Sequence, residues 1–290
     1  MAGLNPTAVL DREEYVEQAH LFRALGERMR QNMSVQELLV SVKEEILSTT
    51  RLPLALDYLA AELRLRGMFS TAMAKLSHYF TPFQTYVVAE AEADRGKFDL
   101  SVALTILERE AQYRAAGATP QGIFIYEFEC LCRNRLGYDH GLAAVAGDPL
   151  FDDAWREWIG TVRRQVGIVD FADLIYVRSR RYIQDRERQG LPLENAGKSA
   201  LFGEREGRIA WANRRKDPLL LFAALHRQLG YPAVPRLEPI ERTSEIIPAL
   251  MRRIERLETR IKLLEEEQKG GIDLTKFFGG ENARGTPRDG

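Results

Sequence analysis

The sequence predicts an all-α protein, with a multi-helix body followed by a short C-terminal coiled-coil helix. Apolar residues recur at helical spacing through most of the chain, and capping residues, prolines and glycines mark where helices start and stop. Near the C terminus, Ile and Leu recur at alternating spacings of three and four residues, which is the heptad pattern. The period-two alternation typical of strands is not sustained in any window.

Helix-start and helix-stop signals divide residues 1–231, the predicted helical body. Residues 81–84, Thr-Pro-Phe-Gln, supply an N-cap threonine, a proline at the first helical position and a glutamine at the third, so a helix is predicted to begin there. Gly67 follows an apolar run at the position where a left-handed C-cap is expected. Farther along, a single helix is predicted from about residue 171 to residue 189.

Three connections in this body share a pattern, in which a helix stops at glycine and an aromatic residue follows: Gly67-Met68-Phe69, Gly96-Lys97-Phe98 and Gly137-Tyr138. Over about residues 52–147, this punctuation resembles that of tetratricopeptide repeats. The resemblance implies a stack of helical hairpins. The glycines are 29 and 41 residues apart, whereas such arrays hold close to about 34, so an irregular helical bundle is the alternative.

A heptad seam predicts the coiled-coil helix over residues 244–269. Isoleucine at position a with leucine at position d favours two parallel strands, and therefore a homodimer. A single amphipathic helix folded back on the body is the alternative. The proposed oligomerisation residues are Ile247, Leu250, Ile254, Leu257, Ile261 and Leu264 in the seam, with Arg253, Glu258, Arg260 and Glu265 beside it.

Proline spacing separates the seam from the body. Pro232, Pro235 and Pro239 predict a semi-rigid linker over residues 232–243, because each proline fixes its own φ and disfavours helix at the preceding residue. Residues 270–290 are predicted to be a flexible tail with a short apolar stretch at 272–278.

Composition bounds the function classes. With 45% hydrophobic and 29% charged residues, the chain has a globular composition, and its net charge of −1 gives no overall attraction to nucleic acid or to an anionic membrane. Cys130 and Cys132 have neither zinc-site nor disulfide-framework spacing, which favours a reducing compartment. No secretion signal or run of about 18 apolar residues is present. We therefore expect a cytoplasmic protein that does not bind membranes.

Few residues match a catalytic, cofactor or metal pattern, and we predict no catalytic residue, no cofactor and no metal ligand. Residues 195–199 resemble the end of a phosphate-binding loop, but Pro192 stands where its first glycine is needed. Glu17 and His20 have a di-iron spacing without the second copy that such sites need.

One acidic group has the residue types of a magnesium site. Asp152, Asp153 and Glu157 carry the oxygen ligands that the ion prefers, although stabilisation of a helix N-terminus by the two aspartates is the simpler interpretation.

A basic stretch provides a candidate nucleic-acid face. Residues 178–216 contain 11 Lys plus Arg against 5 Asp plus Glu, with aromatic residues between them. Arginines neutralise phosphates and aromatic rings stack on bases, whereas ordinary surface ion pairs would leave a solvated helix face. The residues proposed for this face are Arg180, Arg181, Arg214, Arg215 and Trp211.

These observations favour a non-enzymatic cytoplasmic scaffold or adaptor. In this interpretation the helical body binds an unidentified protein partner and the heptad helix joins two copies. An RNA- or DNA-binding protein that uses residues 178–216 is the alternative, and an all-helical metal-dependent enzyme is the third.

The charges beside the seam predict its orientation. A parallel pair sets Arg253 against Glu258 and Arg260 against Glu265, each twice, whereas an antiparallel pair brings like charges together. At about 0.3–0.5 kcal/mol each, the four attractions contribute roughly 1–2 kcal/mol. Peptides of residues 245–269 with a cysteine at either end should form mainly same-end disulfides in a thiol buffer, with a weaker preference at high salt. Mostly opposite-end disulfides would contradict this orientation.

Overall fold

The structure, a computed structural model, describes residues 9–29, 35–93, 98–192 and 198–236, together with Ile261. The chain divides into two units, residues 1–237 and residues 238–290, and all described residues except Ile261 belong to the first. Of the described residues, 70% are helical, which confirms the predicted all-α class. These residues contain no strand, and none of their helices is long and apolar enough to cross a membrane.

The described part of the chain forms thirteen helices. In chain order they are α1 (Arg12–Met29), α2 (Val35–Lys43), α3 (Leu52–Arg66), α4 (Phe69–Lys75), α5 (Pro82–Glu92), α6 (Leu100–Ala115), α7 (Pro120–Arg133), α8 (Tyr138–Ala146), α9 (Asp153–Gln165), α10 (Phe171–Val177), α11 (Arg180–Arg188), α12 (Glu204–Ala212) and α13 (Pro218–Leu229).

Local sequence chemistry sets several helix ends as predicted. The Thr81 hydroxyl accepts a hydrogen bond from the Gln84 backbone N–H at 3.2 Å, and the Gln84 side chain accepts one from the Thr81 N–H at 3.1 Å. This reciprocal capping box starts α5. Gly67 ends α3 with a φ of 73°, the left-handed conformation expected from its position.

The single helix predicted at residues 171–189 is two helices, α10 and α11. The Arg178 carbonyl, which would accept from the Tyr182 N–H in a continuous helix, instead accepts from the backbone N–H groups of Leu201 and Phe202, at 2.9 and 3.1 Å. The Tyr182 N–H donates to the Ser179 hydroxyl, which caps α11. A contact between distant parts of the chain therefore overrides the helical periodicity here.

Helix α1 packs antiparallel along α6, the most extensive helix pairing in the described residues. Arg12, at the start of α1, donates a hydrogen bond from Nε to the carbonyl of Ala115, at the end of α6, over a distance of 3.2 Å. Near the other end of α1, a Cβ placed on Gly26 would lie 3.7 Å from the Leu104 Cβ, in the first half of α6. In a stack of repeats each unit contacts only its neighbours. A pairing that skips four helices of the chain is typical of a bundle.

Helix α7 lies at the centre of the core, since every residue from Gly122 to Leu131 is buried. Phe124 lies 4.8 Å from Trp158, measured between ring centroids, and Phe128 lies 4.5 Å from Phe171. The rings of one continuous cluster are Phe124, Phe128, Phe151, Trp155, Trp158, Phe171, Phe202 and Phe222. A helix buried on all sides holds its neighbours in fixed positions.

The first residues of the predicted linker pack on the body. The Arg109 guanidinium donates to the Ala233 carbonyl at 2.6 Å, and the Asn134 side-chain amide donates to the Pro235 carbonyl at 3.0 Å. Ala233 and Pro235, within the predicted linker, therefore contact the body.

The predicted coiled-coil helix lies outside the described residues, except that Ile261 is helical and 54% exposed. Linker residues 237–243 and the tail at 270–290 also lie outside them.

Two helical glycines in different surroundings test the packing of α12. A Cβ added at Gly207 would lie 2.7 Å from the Ser179 Cβ and 2.6 Å from the Arg181 Cβ, whereas at Gly160 in α9 the nearest atom is an Arg164 nitrogen at 3.6 Å. We expect Gly207→Ala to lower the free energy of unfolding by about 1–3 kcal/mol. Gly160→Ala should leave it unchanged or raise it by up to about 1 kcal/mol. Urea denaturation measures both, and equal effects would contradict close packing at Gly207.

Candidate functional site

An apolar groove lies among α7, α8, α10 and α13. Phe128 of α7 is a buried residue of its lining, with its ring centroid 4.5 Å from Phe171, 6.1 Å from Tyr138 and 6.1 Å from Phe222. Because the other faces of α7 are packed in the core, these rings are held in place without a ligand.

The groove has a cavity volume of about 530 Å³, within the range of about 300–1,000 Å³ usual for ligand pockets. Three of its apolar lining residues are strongly exposed: Ile168 at 82%, Leu219 at 49% and Tyr138 at 40%. Single exposed apolar residues are ordinary, whereas a group of them around a cavity marks an interaction site. The other apolar side chains of the lining are Phe128, Cys132, Val166, Val169, Phe171, Leu174, Pro218 and Phe222.

A tight turn presents Ile168 at the groove. Gly167 has a φ of 82°, a left-handed conformation that favours glycine. The Ile168 N–H donates to the Gln165 carbonyl at 2.9 Å, and a backbone bridge joins Val166 to Val169. The backbone of the turn is thereby fixed while its isoleucine side chain remains in solvent.

The charged side chains of the groove lining are Arg133, Lys216, Asp170 and Asp217, two of each sign. Asp170 and Asp217 accept hydrogen bonds from backbone N–H groups, as caps of α10 and α13. Arg133 is paired with Glu129 at 2.5 Å. Lys216 is exposed, and within the described ranges no ion pair involves it. An acidic group on a ligand would find this ammonium available.

Cys132 brings a thiol to the groove, but burial raises its pKa to about 11. The thiolate, which is the nucleophilic form, is therefore scarce at neutral pH. The groove is better suited to reversible binding than to covalent chemistry.

The proposed nucleic-acid face is partly neutralised. Arg181 pairs with Asp185 at 2.8 Å, and Arg214 pairs with Asp173. The Arg214 guanidinium also lies over the Trp211 ring, 4.3 Å from its centroid, and so covers one face of that indole.

The other two arginines predicted for this face, Arg180 and Arg215, are exposed and have no ion pair in the described part of the chain. Nucleic-acid binding through residues 178–216 stays a prediction, and these two side chains are the unpaired cations among its four proposed arginines.

The acidic group at the start of α9 is dispersed among separate partners. Asp152 caps the helix by accepting from a backbone N–H at 2.9 Å, as its simpler interpretation predicts. Asp153 pairs with Arg156 at 3.0 Å, and Glu157 pairs with Lys198 at 2.6 Å.

The two remaining sequence motifs are the Glu17–His20 pair and the loop at residues 195–199. Glu17 accepts from the Leu47 backbone N–H at 3.4 Å, and the His20 ring lies 3.3 Å from Glu45 Oε2. Of the loop at residues 195–199, only Lys198 and Ser199 are described.

A buried charge cluster that the sequence did not predict lies beneath α1. Arg114 donates to Glu110 at 2.7 Å, to Glu127 at 3.1 Å and to Asp148 at 2.5 Å, and its guanidinium is 5.8 Å from the Tyr15 ring centroid. The side chains of the three acids are fully buried. Glutamates within the apolar run of α7 were the sequence signal for buried carboxyl groups.

Three carboxylates and one guanidinium would leave a net charge of −2 in the core. Oε2 of Glu110 and Oε2 of Glu127 are buried without a hydrogen-bond partner among the described residues. Burial, together with repulsion from neighbouring acids, raises the pKa of Glu110 to about 7 and also raises the pKa of Glu127. A proton retained near neutral pH relieves part of the charge.

The same three acids have the spacing of a metal site, because one oxygen of each lies within 4.8 Å of the others. Arg114, however, donates a hydrogen bond to every one of them and already supplies the positive charge. A metal ion would be repelled by this guanidinium, so the arrangement fits a buried ion network better than a metal centre.

Comparison of the chain with protein-family models, with curated proteins and with solved structures found no match.

The buried cluster predicts a pH dependence of stability. The pKa of Glu110 is raised from 4.5 to about 7. The folded protein therefore holds this proton more tightly than the unfolded chain does, and the resulting contribution to the free energy of unfolding is full below pH 4.5 and is lost as the pH rises towards 7. Glu110→Gln keeps an acceptor for Arg114 and has no proton to lose. Between about pH 5 and pH 8, we expect its free energy of unfolding to fall by up to about 3 kcal/mol less than that of the wild type.

Chemical denaturation across this pH range measures the difference between the two proteins. Glu13→Gln, at an exposed position in α1, is the control and should follow the wild-type profile. Parallel profiles for Glu110→Gln and the wild type would contradict proton uptake by the cluster.

Proposed function

We propose that this protein is a non-enzymatic cytoplasmic scaffold or adaptor. Its helical body binds a protein partner in the apolar groove, and its C-terminal helix, residues 244–269, pairs two copies in parallel. The observation that carries the proposal is the cavity of about 530 Å³ with Ile168 82% exposed beside it. Exposed apolar side chains around a preformed cavity are typical of surfaces that another molecule covers.

The chemistry of the groove favours an amphipathic helix of the partner as its occupant. Such a helix inserts apolar side chains from one face into an apolar groove. The exposed side chains of Ile168, Leu219 and Tyr138 provide an apolar surface for these anchors, above the buried rings of the lining. Lys216, which is exposed at the groove, favours an acidic residue of the partner near it.

Because each chain carries both the body and a dimerising helix, the dimer would contain two copies of the groove. Two linked binding sites raise the avidity for a multivalent partner without any new contact. This arrangement suits an adaptor that joins partner molecules.

A substitution at the groove and a matched one elsewhere test this function. Ile168→Asp places a charge in the groove, and Leu65→Asp changes an exposed leucine of α3, 79% exposed, that is not part of the groove lining. Wild type and both variants are used as baits in native cells with quantitative mass spectrometry. We expect a protein that is retained by Leu65→Asp and depleted at least about tenfold by Ile168→Asp, the loss of an apolar anchor.

Titration of that purified protein against the three baits should give the same order of affinities. A prey set unaffected by Ile168→Asp would contradict the groove as the binding surface. Co-purifying RNA or DNA that is lost on changing Arg180 and Arg215 to Ala would instead support the nucleic-acid alternative.

A further inference from the structure

Helix α3 has apolar residues on two opposite faces. One face is buried in the core through Leu52, Leu56, Leu59 and Leu63. On the other face, Leu54 and Leu65 are 74% and 79% exposed, and with Ile168 they are the three most exposed large apolar side chains of the described residues. A helix that is apolar all round is usually covered all round, so the outer face of α3 suits contact with another molecule.

The exposed residues form a continuous stripe. Leu54, Tyr58, Ala61 and Leu65 follow one another at spacings of four, three and four residues, which places them on one side of the helix. Tyr58 is 36% exposed, and Ala61 is exposed as well. We call these four residues the α3 stripe. Exposed apolar side chains that stand together mark an interaction surface, whereas single ones are ordinary.

The α3 stripe is complementary to a second copy of itself. When two α3 helices lie antiparallel with Leu54 facing Leu65 of the second copy, Tyr58 faces Ala61, because both pairs have the same sum of residue numbers. A two-fold axis repeats each pair. Leucine therefore meets leucine in the two outer layers, and a large side chain meets a small one in the two central layers, an alternation that lets facing side chains interdigitate.

Charges at the edge of the α3 stripe favour the same orientation. Asp57 and Arg64 flank the stripe on one side, and the antiparallel register brings Asp57 of each copy beside Arg64 of the other. Asp57 pairs with Lys43 at 2.7 Å but its side chain stays 55% exposed, and within the described residues no ion pair involves Arg64. A parallel pair would instead bring Asp57 beside Glu62, and like charges repel.

We propose that the α3 stripe is a self-association surface, through which two copies of this protein pair antiparallel about a two-fold axis. A second copy is favoured over another partner because the apolar layers and the edge charges both match their own two-fold image. Two helices of 15 residues each make a small interface, so the dimer should form and dissociate with protein concentration.

This surface is separate from the C-terminal helix of the proposed function. A chain with two different two-fold surfaces joins dimers into tetramers or longer assemblies. The α3 stripe would therefore extend the assembly beyond a pair.

Analytical ultracentrifugation of the full chain over a concentration series tests the α3 stripe. Leu257→Asp in the predicted seam is introduced first, so that the C-terminal helix does not hold two copies together. We expect this chain still to form a dimer. Adding Leu65→Asp should weaken the dimer at least about tenfold, the loss of an apolar anchor. Leu220→Asp, at an exposed position of α13, is the matched control and should leave it unchanged.

Exchange of the edge charges tests the orientation. Arg64→Asp sets like charges against each other twice in the dimer and should weaken it about tenfold. Asp57→Arg combined with Arg64→Asp restores opposite charges across the two-fold axis and should recover most of the loss. A loss that the double variant does not recover would overturn the antiparallel pairing.

A Leu257→Asp chain that stays monomeric at every concentration would overturn the proposal, as would dimers of equal stability with Leu65→Asp and with Leu220→Asp. Binding of that monomer to anionic lipid vesicles, lost on Leu65→Asp, would assign the α3 stripe to a membrane surface instead.

The outcome is independent of the proposed function. Comparison of the chain with and without Leu257→Asp reports on the C-terminal helix alone. Leu65→Asp leaves the groove lining unchanged, so loss of the α3 dimer and loss of a groove partner are separate results.

Discussion

The buried ion network around Arg114 is the interaction on which the helical body most depends. It joins acids of α6, α7 and the turn after α8 and lies against Tyr15 of α1. Removing one partner of a buried ion pair usually costs about 3–5 kcal/mol, a large part of the roughly 5–15 kcal/mol that stabilises a domain. The packing of these four regions is therefore tied to the charge state of one cluster.

Helix α7 connects this cluster to the groove. Glu127 reaches the arginine, while the next residue, Phe128, contacts the rings of α10 and α13. Successive helical residues point in different directions, so one helix serves the ion network on one side and the groove on the other. The groove is thereby built on the most buried element of the body, which favours a binding surface already in place before a partner arrives.

The sequence predicted those features that depend on neighbouring residues. The capping box at Thr81 and the end of α3 at Gly67 follow from the few residues around them. The break before α11 was not predictable, because it requires hydrogen bonds from Leu201 and Phe202 to Arg178. Neither were the cluster and the groove, since each gathers residues from several helices whose pairing no local pattern encodes. Ile168 was invisible for the same reason: only the fold shows that an isoleucine in a turn lies beside a cavity.

The antiparallel pairing of α1 with α6 has a consequence for synthesis of the chain on the ribosome. The last residue of α1 is made roughly 86 residues before the last residue of α6, a delay of about 4–17 s at usual rates of translation. During this interval α1, whose buried residues include Leu21, Phe22 and Leu25, lacks the helix with which it makes its most extensive pairing. The nascent segment therefore offers an apolar face to chaperones, and this face stays exposed until α6 has emerged from the ribosome.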